Sequence, residues 1–152
     1  MNVGVFGIGL IGGSLSIQIR KHFPGSKILG FDKSEKNLNR AIDIGLADLS
    51  LQKEDIKFLD LILITIPVNE VEELIIELLN QINDGALIID FSSTKRTICE
   101  AASNHPKRDQ FLATHPIAGT EFSGPDSALD DLFSNKIQIL CETNKTRSNL
   151  LN

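Results

Sequence analysis

The sequence predicts an α/β domain: a doubly wound, mostly parallel sheet flanked by helices. Three observations carry that prediction. Apolar runs of strand length alternate with stretches of helical period, the pattern of parallel strands joined by helical crossovers. The run Leu61-Ile62-Leu63-Ile64-Thr65-Ile66 is almost wholly leucine and β-branched, as a strand buried on both faces requires. The 152 residues, 41% of them hydrophobic and 23% charged, suit one domain that buries roughly 70% of its unfolded surface.

Taken in order, residues 3–6 read as the first strand and residues 8–21 as a helix with Leu15 and Ile19 on its apolar face. Residues 27–31 form a second strand. Residues 35–44 form a second helix, capped by Ser34 and ended by Gly45. A short third strand is expected within residues 46–51. The strand at 61–66 stops at Pro67, which lacks the N–H a ladder needs. Residues 71–82 read as a helix with Glu72, Glu73 and Glu77 toward water. Asn83-Asp84-Gly85 has turn chemistry, and residues 86–91 follow as the fifth strand. Another helix is expected at 94–103, a sixth strand at 110–113 and a late one at 136–140. The domain is read as residues 1–142. The polar stretch 143–152 is read as a tail or as the start of a linker.

Composition excludes several classes. Fifteen Lys and Arg against twenty Asp and Glu leave a net charge of −5, which argues against a nucleic-acid partner. No apolar run approaches the ~20 residues that span a bilayer, so no membrane partner is expected. The N-terminus enters a strand pattern at once, without a basic leader, and predicts no signal peptide. Cys99 and Cys141 make neither a disulfide framework nor a metal spacing. No metal site is expected, and a cytoplasmic location fits. Cys99, beside Ile98 and Ala101, reads as small core filler.

The first strand runs into Gly7-Ile8-Gly9-Leu10-Ile11-Gly12. This is G-x-G-x-x-G with a strand before it and a helix after it, the context in which the motif binds a dinucleotide. Gly7 permits the tight turn, and Gly9 leaves room for a pyrophosphate. Gly12 lets the helix approach the strand, while the free N–H groups at the helix start meet the anion. Asp32 stands twenty residues after Gly12, at the end of the second strand. A carboxylate there accepts hydrogen bonds from ribose hydroxyls and repels a 2′-phosphate. The sheet is therefore read as Rossmann-type and the cofactor as NAD, with Lys33 the one neighbour able to soften that preference.

A dinucleotide fold does not specify the substrate. The discriminating stretch is Thr114-His115-Pro116-Ile117-Ala118-Gly119-Thr120-Glu121-Phe122-Ser123-Gly124. It follows the sixth strand, near the carboxyl edge where open parallel sheets bind ligands. It gathers a titratable His, hydroxyls and a carboxylate among small residues, and Pro116 biases His115 toward extended backbone.

Three segments together, Gly-Leu-Ile-Gly-Gly-Ser-Leu at 9–15, Asp-Phe-Ser-Ser-Thr-Lys at 90–95 and His-Pro-Ile-Ala-Gly-Thr-Glu at 115–121, resemble the prephenate and arogenate dehydrogenases of tyrosine biosynthesis. The resemblance covers residues 2–142 in order. It implies oxidative decarboxylation of prephenate to 4-hydroxyphenylpyruvate, with hydride passing to NAD⁺. His115 matches the family's catalytic histidine, which takes up the proton of the reacting hydroxyl; imidazole suits that task near neutral pH. Ser93 matches the active-site serine that also bonds this hydroxyl. Thr120, Glu121 and Lys95 match positions around the substrate, and Thr65 and Pro67 match cofactor contacts after the fourth strand.

One position departs from the family pattern: Ser92 stands where Gly or Ala commonly precedes the catalytic serine. The family enzymes also carry a second, helical domain that supplies the dimer interface and cations for the substrate carboxylates. The expectation is a cofactor-binding domain that binds NAD and turns over poorly alone, dimerising only through that missing helical part. Two readings stay open beside it: an arogenate-specific dehydrogenase, and a non-catalytic nucleotide-binding module. Individual residues have plainer readings too. Ser92, Ser93 and Thr94 suit a helix cap, and Glu121 suits a solvated loop.

Overall fold

The computed structural model describes residues 1–151. Seven strands form one sheet: β1 (Asn2–Phe6), β2 (Lys27–Phe31), β3 (Leu49–Ser50), β4 (Leu61–Ile64), β5 (Leu87–Asp90), β6 (Phe111–Pro116) and β7 (Gln138–Cys141). Their order is β3-β2-β1-β4-β5-β6-β7. All neighbours pair in parallel except β6 and β7, which are antiparallel. The order reverses between β1 and β4, the switch point at which doubly wound sheets open a crevice for ligands.

Among the described residues, four α-helices cover the sheet: α1 (Leu10–His22), α2 (Glu35–Asp43), α3 (Val71–Gln81) and α4 (Arg96–Ala102). Two apolar clusters result, one on each face. One joins Val3, Val5, Ile28 and Leu63 to Ile19 of α1 and to Leu38 and Ala41 of α2. The other joins Phe6, Ile62, Ile64 and Ile88 to Ile75, Leu78 and Leu79 of α3 and to Ile98 of α4. β4 feeds both, as its unbroken apolar run requires. Ser34 caps α2 by accepting the N–H of Asn37 at 3.3 Å, and Gly45 ends it with φ +78°.

Several boundaries differ from expectation. The third strand shrinks from 46–51 to Leu49–Ser50, because Leu46 and Ala47 turn into the core after α2 and only two residues reach register with β2. The fourth strand stops at Ile64, two residues early, so Thr65 is free for the neighbouring turn. The helix expected from residue 94 begins at Arg96, with no side-chain cap. A 3-10 helix at Lys53–Phe58 was not anticipated. β6 is longer than expected: it pairs with β5 only as far as Asp90↔Ala113, and continues against β7 through His115↔Ile139 and Pro116↔Gln138. Pro116 is tolerated because β5 has already ended there.

Residues 143–151 do not trail away. The Thr146 hydroxyl donates to the Phe111 carbonyl at 2.8 Å, and Arg147 pairs with Asp109 at 2.9 Å. Among the described residues, no helix is long and apolar enough to cross a membrane.

Candidate active site

The glycine turn is shaped by its neighbours. Gly7 has φ +90°, and a Cβ there would lie 2.9 Å from the Thr65 carbonyl oxygen. A Cβ on Gly12 would fall 2.1 Å from the Gly7 carbonyl oxygen, so α1 can sit this close to β1 only with glycine at that position. The Thr65 hydroxyl lies 2.5 Å from the Gly7 carbonyl and 3.0 Å from that of Phe6, pinning the turn from below.

Gly9 is different. Its φ of −96° is open to any residue, and a Cβ would meet nothing nearer than the Gly124 nitrogen at 3.9 Å. Nothing within the chain requires glycine there, so the missing side chain keeps space for something the chain does not supply. The cavity it faces holds about 420 Å³ and is lined by Gly7 and Gly9, by Asp32 to Ser34, by Thr65 to Pro67, by Glu70 and by Ser123. Gly9 precedes α1, whose first turn has neither a side-chain cap nor an acidic residue. An anion fits that uncapped end. Leu10 and Ile11, the half-buried first residues of α1, belong to the same turn.

Asp32 is fixed in place rather than acting as a helix cap. One carboxylate oxygen accepts the Ile8 N–H at 3.1 Å and the other accepts the Ser34 N–H at 2.9 Å. Each oxygen keeps a further lone pair for a ligand hydroxyl. Lys33 pairs with Glu70 at 2.8 Å. Five residues singled out from the sequence as cofactor contacts, Gly7, Gly9, Asp32, Thr65 and Pro67, thus line one cavity.

The expected substrate residues are less gathered. Thr120 and Glu121 line a second cavity of about 440 Å³ with Phe122, Ser123, Asp126, Ser127 and Leu129. Ser123 borders both cavities, which therefore adjoin. His115, Ser93 and Lys95 line neither. His115 stands where β6 outruns β5, beside the turn after Asp90. Its Nδ1 is buried without a hydrogen-bond partner. Ser93 is exposed on that neighbouring turn.

The turn itself is built on a buried ion pair. The Asp90 carboxylate is fully buried and pairs with the Lys95 ammonium, which is 13% exposed. Asp90 also accepts the Ser92 N–H at 3.0 Å and the Ser92 hydroxyl at 2.9 Å. Lys95 donates in turn to Ser92 Oγ at 3.1 Å. Thr114, next to His115, donates its hydroxyl to the Asp90 carbonyl at 2.9 Å. Ser92 therefore closes a polar network, and its hydroxyl is used where a glycine would offer none. Ser92 and Thr94 do not cap α4. Lys95 is directed to Asp90 rather than to either cavity. Asp90, Ser123 and Glu70 carry no site role in the sequence reading. Asp90 and Ser123 lie inside the quoted motifs, whereas nothing local marks Glu70.

The loop after β6 folds back over the cofactor side. The Leu129 N–H donates to the buried Ser14 hydroxyl of α1 at 2.9 Å. Lys21 pairs with Asp130 at 3.0 Å and Arg40 of α2 with Asp126 at 2.6 Å. These last pairs are solvent-exposed and worth little individually. Cys99 is half-buried against the core, and burial pushes its thiol up to about 11, which suits packing rather than nucleophilic chemistry. Among the described residues no group of His, Cys, Asp and Glu is placed to hold a metal.

A family model described as prephenate dehydrogenase, nucleotide-binding domain, matches residues 15–152. The prephenate dehydrogenase of Bacillus subtilis is 35% identical over 144 residues, which cover 92% of this chain and 39% of that protein. A crystal structure of prephenate dehydrogenase from A. aeolicus, in complex with hydroxyphenyl propionate and NAD⁺, superposes with a TM-score of 0.88 at 30% identity. It covers 99% of this chain and 54% of its own. The Synechocystis arogenate dehydrogenase superposes with a TM-score of 0.86 at 29% identity, over 99% of this chain and 53% of that one. The chain thus spans 39% to 54% of the length of these relatives. With a switch-point cavity built on the glycine turn and a sequence match over most of its length, the chain belongs to the prephenate dehydrogenase nucleotide-binding domain family.

Proposed function

We propose that this chain is the nucleotide-binding part of an NAD-dependent dehydrogenase that oxidatively decarboxylates prephenate to 4-hydroxyphenylpyruvate in tyrosine biosynthesis. The supporting observation is the meeting of two cavities at Ser123. Backbone N–H groups at the start of α1 hold the pyrophosphate beside Gly9. Asp32, fixed by Ile8 and Ser34, accepts the adenosine ribose hydroxyls. NAD⁺, when bound, supplies the hydride acceptor.

His115 accepts the proton of the ring hydroxyl as that oxygen becomes a carbonyl, and the Ser93 hydroxyl gives the same oxygen a second partner. Loss of CO₂ leaves an aromatic ring, so these side chains mainly position and polarise. Thr120 and Glu121 flank the substrate. Prephenate carries two carboxylates, yet Lys95 is committed to Asp90, and the exposed Arg96 is paired with Glu100 at 3.2 Å. Countercharge is expected from a further helical domain, which also carries the dimer interface. A cytoplasmic location fits this biosynthetic role.

The test mixes the chain at high concentration with NAD⁺ and prephenate and follows NADH absorbance. Slow NADH formation is expected, falling at least about 100-fold in His115→Asn. Formation that is equally fast in the variant contradicts the role of His115. The Synechocystis relative favours a second reading, arogenate as substrate; faster turnover of arogenate than of prephenate selects it. No turnover beside clear NADH binding places the carboxylate clamp outside these residues.

A further inference from the structure

The adenosine side of the cofactor cavity carries a charge arrangement that the glycine motif does not predict. Its lining contains two carboxylates, Asp32 and Glu70, and a single cation, Lys33. Asp32 is held by two backbone N–H groups and cannot swing away without losing both. Lys33 directly follows it, at the position from which dinucleotide sites of this type commonly reach a 2′-phosphate with a basic side chain. Its ammonium instead lies 2.8 Å from the Glu70 carboxylate. Glu70 closes the 3-10 turn Val68–Glu70, whose geometry is set by its N–H donating to the Pro67 carbonyl at 3.0 Å. The carboxylate is 26% exposed while Lys33 is 71% exposed, so the better-anchored partner is the acid. A neighbouring cavity of about 340 Å³ shares Lys33, Ile66 and Glu70 with this one and adds Glu73 and Glu77 to its lining. Of these two, Glu77 is paired with Lys53 at 2.7 Å.

We infer that Glu70 is a specificity-determining residue: it neutralises Lys33 and holds it away from the ribose 2′ position, and so disfavours a 2′-phosphorylated dinucleotide. This rests on the nucleotide reading and adds a second discriminator to Asp32. Asp32 acts directly on the ribose. Glu70 acts through Lys33, the single cation in the cavity lining. Removing the carboxylate frees an ammonium that already sits at the mouth of the site.

The experiment titrates NADH and NADPH fluorescence with the wild-type chain, Glu70→Gln, Lys33→Gln and the Lys33→Gln/Glu70→Gln double variant. Thermal melts confirm that each is folded. The wild type is expected to bind NADH more tightly than NADPH. In Glu70→Gln the ratio of the NADPH to the NADH dissociation constant falls about tenfold, as a phosphate gains a charge-assisted partner. In the double variant most of that fall is reversed, because the gain requires Lys33. A ratio unmoved by Glu70→Gln while the wild type binds NADH overturns the proposal alone. So does a fall that persists undiminished without Lys33, since Glu70 would then act on the phosphate directly. A folded wild type that binds neither nucleotide overturns the proposal together with the nucleotide reading beneath it.

Discussion

Asp90→Ala is expected to cost about 3 kcal/mol of folding stability, lowering the melting temperature by roughly 6–12 °C in a domain of this size. The carboxylate is fully buried and satisfies the Lys95 ammonium, the Ser92 N–H and the Ser92 hydroxyl together. Truncation strands a cation that is only 13% exposed, leaving the Ser92 oxygen as its remaining acceptor among these groups. Orphaning one partner of a buried pair is costlier than removing both. The Lys95→Met/Asp90→Ala double variant should therefore recover a good part of the loss in denaturant melts. Equal destabilisation of the single and double variants would mean that cavity formation, not charge, sets the cost. The same network fixes the turn bearing Ser93, so its loss also loosens the residue proposed to touch substrate.

Gly9→Ala should separate folding from binding. The added methyl meets nothing within 3.9 Å in the protein, and the φ of −96° accepts alanine. Stability is expected to hold or rise slightly, because glycine's unfolded-state entropy is removed. Dinucleotide affinity should fall by about 1–3 kcal/mol, the usual penalty for forcing a methyl into a filled space. That is a loss of about fivefold to 150-fold. A fluorescence titration with NADH measures it. Unchanged affinity would mean that the pyrophosphate does not lie beside Gly9.

The contrast with Gly12 shows how much of the site was legible. Both glycines follow from one motif, and Asp32 follows from its distance to them, because the turn, the close helix and the ribose contact are local needs of one βαβ unit. Thr65 was read as a cofactor contact and does line the cavity, but its hydroxyl is spent on the Gly7 carbonyl. That duty arises only when β4 lies beside β1. The β6 boundary differs for the same reason: its antiparallel partner β7 decides whether Thr114 and His115 are strand. Lys95 is placed around the substrate by its motif alone, and only the folded turn shows that Asp90 claims it. Glu70 reaches Lys33 across two loops and leaves no local trace. Residues 143–151 read as a polar tail because the Thr146 hydroxyl finds its partner on a distant strand.

The central claim is that the switch-point cavity beside Gly9 binds a nicotinamide dinucleotide. Fluorescence titration of NADH with the wild-type chain tests it directly, since the protein contains no Trp and no Tyr to obscure the signal. Saturable binding at one site per chain, displaced by NAD⁺, is the expected result. A folded chain that leaves NADH fluorescence unchanged at every concentration, with no binding detected by calorimetry, would contradict it.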